Sequence, residues 1–265
     1  MSEFPSYLKP GLAPMKEPAT PLPVILCLHG GGANTTVYNI QAMRIQRLLC
    51  DTFKLIFVEG PLTTSAGAGI LPVFDGCGPF HRWFRPGKDD NVLPPPTKAR
   101  VESALEFLES ERKAGNLGKV VGFMGFSQGA KLGAGLIWEQ MMKGAESGWD
   151  FKFGVMCNAI APPMCEIKEE DKVRRITIPT LHVVGEEDPW RDSSRKLFNE
   201  YFDTEISKKL EFPIGHRLPT SEDETKKITD EIFRMWASCK EDEVEEVKGK
   251  DAVDVAAVQI AELSV

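Results

Sequence analysis

Short apolar runs alternate along the chain with longer segments in which apolar residues recur every three or four positions. The short runs are bounded by glycine, proline or polar residues and predict buried strands at residues 23–28, 53–58, 120–126, 150–159, 178–184 and 209–212. The longer segments predict helices at residues 35–50, 96–114, 128–142 and 221–239. Alternating strands and helices predict the α/β class, with a mostly parallel, doubly wound sheet and helices on both of its faces.

The two ends of the chain depart from this pattern. Five prolines among the first 21 residues disfavour a helix or a central strand, so we expect an extended arm over residues 1–22. Residues 240–265 begin with an acidic, solvated run and form at most a weak helix. We therefore predict a single domain over residues 23–239. Its connection at 160–175 is short, proline-rich and charged, which leaves little room for a large lid domain.

The composition narrows the range of partners. A net charge of −7 argues against nucleic acid or an anionic membrane surface as the main partner. The sequence shows neither a signal-peptide pattern nor an apolar stretch long enough to span a bilayer, so we expect a cytoplasmic protein. Its six cysteines lack C-x-x-C and Cys/His metal spacing, which predicts reduced thiols and no bound metal. We expect no cofactor, and the oligomeric state is left open.

Residues 125–129 read Gly-Phe-Ser-Gln-Gly and match the pattern G-x-S-x-G. The pattern alone arises by chance in about one chain in ten of this length. In this chain a predicted strand precedes it and a predicted helix follows it, which is the context of a nucleophile elbow. Such a turn raises the hydroxyl of Ser127 above the sheet and points the backbone N–H of Gln128 at a developing oxyanion. We therefore predict Ser127 as the nucleophile and Gln128 as one oxyanion donor.

A glycine-rich loop follows the first strong strand. His29 is succeeded by three glycines, and α/β hydrolases place the second oxyanion donor in such a loop, because glycine lets the backbone N–H approach the substrate carbonyl closely. Gly31 is the first candidate for this donor and Gly32 is the second. We interpret His29 as structural, since it stands at the end of a strand. The alternative is a simple glycine-rich turn.

An acid and a histidine follow the elbow in sequence. Asp188 comes just after the fifth predicted strand, where catalytic groups of α/β sheets collect, and Glu187 or Asp192 could take its place. His216 lies on a loop bounded by glycine and proline after the last strand, and the alternative is a surface histidine. The order Ser127, acid, His216 is the chain order of the α/β-hydrolase triad.

Residues 59–95 form a long connection rich in glycine and proline, and loops of this length are usually functional. The connection carries Phe74, Phe80, Trp83 and Phe84, which we expect to cover the site and to supply an apolar acyl pocket. These rings could also anchor the loop to the core.

Within this connection, residues 81–88 (His-Arg-Trp-Phe-Arg-Pro-Gly-Lys) are the clearest concentration of positive charge near aromatic rings. This cluster could dock an acidic carrier domain. A solvated charged face is the alternative explanation.

Five blocks of the sequence together resemble the fungal serine hydrolase family of α/β hydrolases, and within it the thioesterases that accompany polyketide synthases, such as that of the lovastatin pathway. The blocks lie between about residues 22 and 238 and read LCLHGGGAN, GPFHRWF, GFMGFSQGA, VVGEEDPW and FPIGHRLP. Neither the arm nor the acidic tail carries a block of this family.

The resemblance implies a single-domain α/β-hydrolase fold in which Ser127 is the nucleophile, Asp188 the acid and His216 the base. It also implies oxyanion donors at Gln128 and in the loop after His29. The expected reaction is hydrolysis of an acyl thioester, releasing a polyketide or fatty acyl chain from an acyl carrier protein or from CoA. Two alternatives stay open, a general short-chain carboxylesterase and a non-catalytic binding module on a hydrolase scaffold.

Overall fold

The structure is a computed structural model, and it describes residues 3–87 and 91–240. Within these ranges the strands are β1 Leu8–Pro10, β2 Val24–Leu28, β3 Lys54–Val58, β4 Leu62–Thr64, β5 Phe80–Arg82, β6 Val120–Phe126, β7 Phe153–Cys157, β8 Thr180–Gly185 and β9 Lys208–Phe212. Seven of them form one sheet in the order β1-β3-β2-β6-β7-β8-β9. All neighbours in it are parallel except β1, which runs antiparallel to β3. Strands β4 and β5 form a separate antiparallel pair.

Helices cover both faces of this sheet. They are α1 Thr35–Gln41, α2 Met43–Leu49, α3 Pro95–Lys113, α4 Gln128–Lys143, α5 Arg191–Tyr201 and α6 at residues 222–240. Successive side chains of β2 point to opposite faces of the sheet. Leu26 packs with the cluster that includes α3, α4 and α5. Ile25 and Cys27 pack instead with the cluster that includes α1, α2 and α6. The predicted α/β class, with a mostly parallel sheet between two helical layers, is confirmed.

Two of the helices differ from the sequence prediction, and the short strands β1, β4 and β5 were not predicted. The helix expected at 35–50 is divided into α1 and α2 at Ala42, whose backbone angles are not helical. Helix α5 was not predicted, because its sequence is mostly polar and it buries only Ser194, Leu197 and Phe198.

The proline-rich arm contributes to the sheet. Leu8, Lys9 and Pro10 pair with β3 at the edge, where the missing N–H of a proline is tolerated. The predicted acidic tail lies outside the described residues, apart from Lys240. In the part of the chain that is described, no helix has both the length and the apolar character needed to cross a membrane.

Candidate active site

The three residues predicted to form a triad meet at one edge of the sheet. Ser127 directly follows β6, Asp188 lies three residues after β8, and His216 lies in the loop after β9. Because these strands are parallel, their carboxyl ends lie on the same side. The topology therefore brings together residues that are far apart in sequence.

Ser127 occupies a tight turn between β6 and α4. Its φ of 51° and ψ of −113° are unusual for a residue with a side chain, which places backbone strain at this position. Gly125 lets β6 and α4 come this close, since a Cβ at this position would lie 2.5 Å from the carbonyl oxygen of Gly129. A Cβ on Gly129 would in turn lie 2.1 Å from the carbonyl oxygen of Leu28 in β2. The turn places the Ser127 hydroxyl at the N-terminus of α4, a helix of 16 residues whose dipole favours negative charge.

A chain of hydrogen bonds joins the three side chains. The Nε2 atom of His216 lies 3.0 Å from the Oγ of Ser127, and its Nδ1 lies 2.7 Å from the Oδ2 of Asp188. The side chain of Asp188 is fully buried. An ionised carboxylate only accepts hydrogen bonds, so the proton of a neutral His216 stands on Nδ1. Nε2 is then the atom that can accept the proton of Ser127.

Two aromatic rings hold the imidazole of His216. The centroid of Phe126 lies 4.9 Å from that of His216, and the centroid of Trp190 lies 4.7 Å away. The backbone N–H of Trp190 also donates to Oδ1 of Asp188 over 2.8 Å. Trp190 was not predicted, although it stands two positions after Asp188 in the sequence. The two alternative acids, Glu187 and Asp192, are exposed.

Asn158 connects the loops that carry the acid and the histidine, and sequence reasoning did not identify it. Its Oδ1 accepts from the N–H of Gly185 at 2.8 Å, and its Nδ2 donates to the carbonyls of Gly215 and Arg217 at 3.4 and 3.2 Å. The residue is buried, with a φ of 48°. Its signal in the sequence is a polar residue immediately after the buried strand β7.

The predicted oxyanion donors differ in whether the backbone N–H already makes a hydrogen bond. Gln128 begins α4, so its backbone N–H belongs to the unpaired first turn of the helix. The N–H of Gly31 makes no hydrogen bond within residues 3–87 and 91–240, and a Cβ on Gly31 would lie 2.6 Å from the side chain of Gln128. The N–H of Gly32, in contrast, donates to the carbonyl of His81 at 2.8 Å. The second candidate, Gly32, is therefore already engaged, which leaves Gly31.

Ser127 and His216 line a cavity of about 330 Å³. Its wall is largely apolar, as is usual for sites that bind small organic molecules. Besides Ser127 and His216, the lining residues are Gly30, Gly31, Ala33, Gln41, Ala68, Ile70, Arg82, Phe84, Pro86, Phe126, Gln128, Ile160 and Trp190.

Of the four aromatic residues predicted to bind substrate, only Phe84 lines this cavity. Phe74 and Phe80 pack instead against the small hydrophobic cluster that contains Ile70. Trp83 is fully buried, and its Nε1 donates to the carbonyl of His29 at 2.7 Å. The substrate role predicted for Trp83 is corrected by this burial, because its ring holds the loop to the core instead.

The basic cluster predicted at 81–88 is divided in the same way. Arg82 lines the cavity and Arg85 is exposed. Lys88 lies outside the described residues. The cluster therefore does not form one continuous exposed surface over its described part.

His29 has the structural position predicted for it. It is completely buried, its Nε2 accepts from the N–H of Gly60 at 2.9 Å, and its Nδ1 lies 2.7 Å from the carbonyl of Gly30. Burial is the main cause that lowers the pKa of His29 to about 4, so the ring is neutral at pH 7. Its two nitrogens fix the start of the glycine loop.

The chain is similar to a known protein family and to several named proteins. Residues 19–228 match the protein family described as serine hydrolase (FSH1). The chain is 31% identical over 232 residues to esterase FUS5 of Gibberella fujikuroi. The aligned region covers 88% of this chain and 95% of that protein. It is 29% identical to thioesterase FSL2 of Gibberella zeae, covering 83% of this chain and 94% of that protein.

Among solved structures, acyl-protein thioesterase 2 of Zea mays superposes with a TM-score of 0.56. The match covers 86% of this chain and 98% of the maize protein at 18% identity. At this identity the likeness concerns the fold, which is that of an α/β hydrolase.

Proposed function

The chain belongs to the serine hydrolase (FSH1) family, and from this premise we propose that it cleaves acyl thioesters through an acyl-enzyme on Ser127. The observation that carries the proposal is the hydrogen-bonded series from Ser127 through His216 to buried Asp188. An ordered acceptor for the serine proton is what turns a weakly nucleophilic hydroxyl into a catalytic one.

In the first half of the reaction, the Oγ of Ser127 attacks the acyl carbonyl carbon while Nε2 of His216 takes the hydroxyl proton. Asp188 holds the imidazole in its tautomer and stabilises the imidazolium that forms. The carbonyl oxygen becomes an oxyanion, which the N–H groups of Gln128 and Gly31 stabilise together with the dipole of α4. The carbon–sulfur bond then breaks, and the departing thiolate takes the proton from His216.

In the second half, water attacks the acyl-enzyme and gives its proton to His216. A second oxyanion forms in the same place and collapses with cleavage of the bond to Ser127 Oγ. The serine recovers its proton from His216 and the free acid leaves. The same residues thus serve both halves of the reaction.

The finer assignment concerns the acyl donor. We propose a polyketide or fatty acyl chain carried as a thioester by an acyl carrier protein or by CoA. Its support is the resemblance of five sequence blocks to thioesterases of polyketide pathways, and the name of one relative as a thioesterase. A general short-chain carboxylesterase is the second candidate, because other relatives are named esterases and the cavity is small.

The experiment combines active-site labelling with two matched substrates. A fluorophosphonate probe should label the wild-type protein and should not label Ser127→Ala, whose kcat we expect to fall by about 10⁴-fold or more. Failure of the wild-type protein to react would exclude serine catalysis and leave a binding module. Activity on butyryl-CoA is then compared with activity on p-nitrophenyl butyrate. A kcat/KM confined to the oxygen ester would support the carboxylesterase.

A further inference from the structure

Arg82 lies next to the glycine-rich loop that follows His29, called here the oxyanion loop. Its strand β5 is bridged to that loop, because the N–H of His81 donates to the carbonyl of Ala33 at 2.7 Å and the carbonyl of His81 accepts from Gly32. On the other side, the backbone N–H of Trp83 donates to the Oε1 of Gln128 at 3.2 Å. These contacts fix the backbone of Arg82 between two segments of the catalytic site.

The side chain of Arg82 lines the catalytic cavity, and its charge is not neutralised there. Its Nε is buried without a hydrogen-bond partner, and within residues 3–87 and 91–240 its guanidinium forms no ion pair. The cavity lining described above includes no aspartate or glutamate. A permanently charged group with its fork of donors therefore faces the space that the substrate occupies.

We propose that Arg82 binds a carboxylate carried by the acyl chain, so that the preferred substrate is the mono-thioester of a dicarboxylic acid. This inference rests on the proposed thioesterase function and specifies its substrate. A guanidinium matches a carboxylate with two parallel hydrogen bonds, and the pairing is stronger in a largely apolar cavity than in water. The apolar residues of the wall, such as Ile70 and Phe84, contact the methylene groups between the two ends.

The leaving group is a less suitable source of the anion. The phosphate of a pantetheine or CoA thioester lies at the far end of the pantetheine arm from the sulfur. Arg82 is fixed beside the oxyanion loop, and the cavity of about 330 Å³ is near the lower limit for ligand sites. A carboxylate on a short acyl chain reaches both Arg82 and Ser127 within this space.

The test uses hexanoyl and adipoyl N-acetylcysteamine thioesters, which differ by a terminal carboxylate and share a neutral leaving group. Thiol release gives kcat/KM for each, and the readout is the adipoyl-to-hexanoyl ratio. In the wild-type protein this ratio should exceed one. We expect Arg82→Gln to lower it about 10- to 100-fold, and Arg82→Lys to restore part of the preference. Arg47→Gln removes the same charge from an exposed position on α2 and should leave the ratio unchanged.

A second arm compares butyryl-pantetheine with butyryl-4′-phosphopantetheine in the wild type and in Arg82→Gln. Loss of a preference for the phosphorylated thioester in the variant, with no effect on the adipoyl ratio, would overturn the carboxylate assignment. Equal adipoyl-to-hexanoyl ratios in the wild type and Arg82→Gln would also overturn it. Hydrolysis of hexanoyl thioester and labelling of Ser127 report the thioesterase function separately. If both are absent in the wild type, it is the proposed function that fails.

Discussion

Asn158 is the residue through which the loops of Asp188 and His216 are tied to each other. Its side-chain oxygen contacts Gly185, just before the loop of Asp188, and its side-chain nitrogen contacts the loop of His216. The backbone N–H of Asn158 donates to the carbonyl of Val183 in β8. Asparagine tolerates the positive φ of this position better than most residues, and its amide offers a donor and an acceptor at once. We infer that Asn158 acts by positioning His216 relative to Asp188, without contact to the substrate.

Asn158→Asp should lower kcat by about 10- to 100-fold with a smaller effect on KM. The variant keeps the acceptor for the N–H of Gly185. It turns a carboxylate oxygen toward the carbonyls of Gly215 and Arg217, and their repulsion displaces the loop of His216. A small displacement of a catalytic group lowers the rate strongly. The measurement is kcat and KM on butyryl-CoA, with the rate of fluorophosphonate labelling and urea unfolding. Asn199→Asp adds the same charge on an exposed part of α5 and should have little effect. A lower stability with unchanged kcat would show that Asn158 has a structural role only.

At the scale of elements, the connection between β3 and α3 owes its position to Trp83. Besides its bond to His29, Trp83 donates its backbone N–H to Gln128, and its carbonyl accepts from the hydroxyl of Thr97 in α3. The next residue, Phe84, belongs instead to the cavity wall. Two adjacent aromatic residues therefore differ in position, since Trp83 anchors the loop and Phe84 faces the cavity.

Variants at these two positions should separate loop anchoring from substrate preference. Trp83→Phe removes the donor to His29 and should lower the free energy of unfolding by about 2 kcal/mol, because a buried carbonyl is left without its partner. Its preference among acyl chain lengths should stay as in the wild type. Phe84→Leu should change that preference by about tenfold, since it alters the shape of the cavity. Urea unfolding and kcat/KM across acyl-CoA chain lengths measure the two effects. A changed chain-length preference in Trp83→Phe would show that Trp83 contributes to substrate binding.

These two residues also show where sequence reasoning ends. The strand, turn and helix around Ser127 are encoded locally, so the motif and its flanking periodicity predict them together. The order of Ser127, Asp188 and His216 is also accessible, because parallel strands carry their carboxyl ends to one edge. Whether Trp83 or Phe84 faces the cavity depends on which way a loop lies against β2 and α4. The sequence has no local signal for that choice, and none for the bonds that Asn158 makes to two distant loops.

At the scale of the whole molecule, two buried histidines link stability to pH. His29 directly precedes the glycine-rich loop, and His182 lies in β8, where its ring centroid is 5.0 Å from that of Phe198 and 4.4 Å from that of Phe202. Burial lowers the pKa of His29 to about 4, and burial, with a smaller contribution from Lys209, lowers the pKa of His182 to about 3. In the unfolded chain a histidine titrates near 6.5, so below that pH the unfolded state binds protons that the folded state does not.

The free energy of unfolding should therefore fall as the pH drops from 7 to 5, by about 2 kcal/mol for each of these two histidines. Their contribution is complete above pH 6.5 and is lost progressively down to the folded pKa values near 4 and 3. Carboxylates act at lower pH; the pKa of Glu211, for example, is lowered mainly by its hydrogen bonds with Arg195. Urea unfolding between pH 7 and 5 thus isolates the histidines from that group.

His182→Gln supplies the decisive comparison, because it removes one of the two titrating rings. The loss of stability between pH 7 and 5 should be smaller in this variant by about 2 kcal/mol, whatever its stability at pH 7. Phe198→Leu is the matched control, since it disturbs the packing around His182 and leaves the ring in place. That control should lower the free energy of unfolding by a similar amount at both pH values. An undiminished pH-dependent loss in His182→Gln would show that burial does not keep His182 neutral in the folded protein.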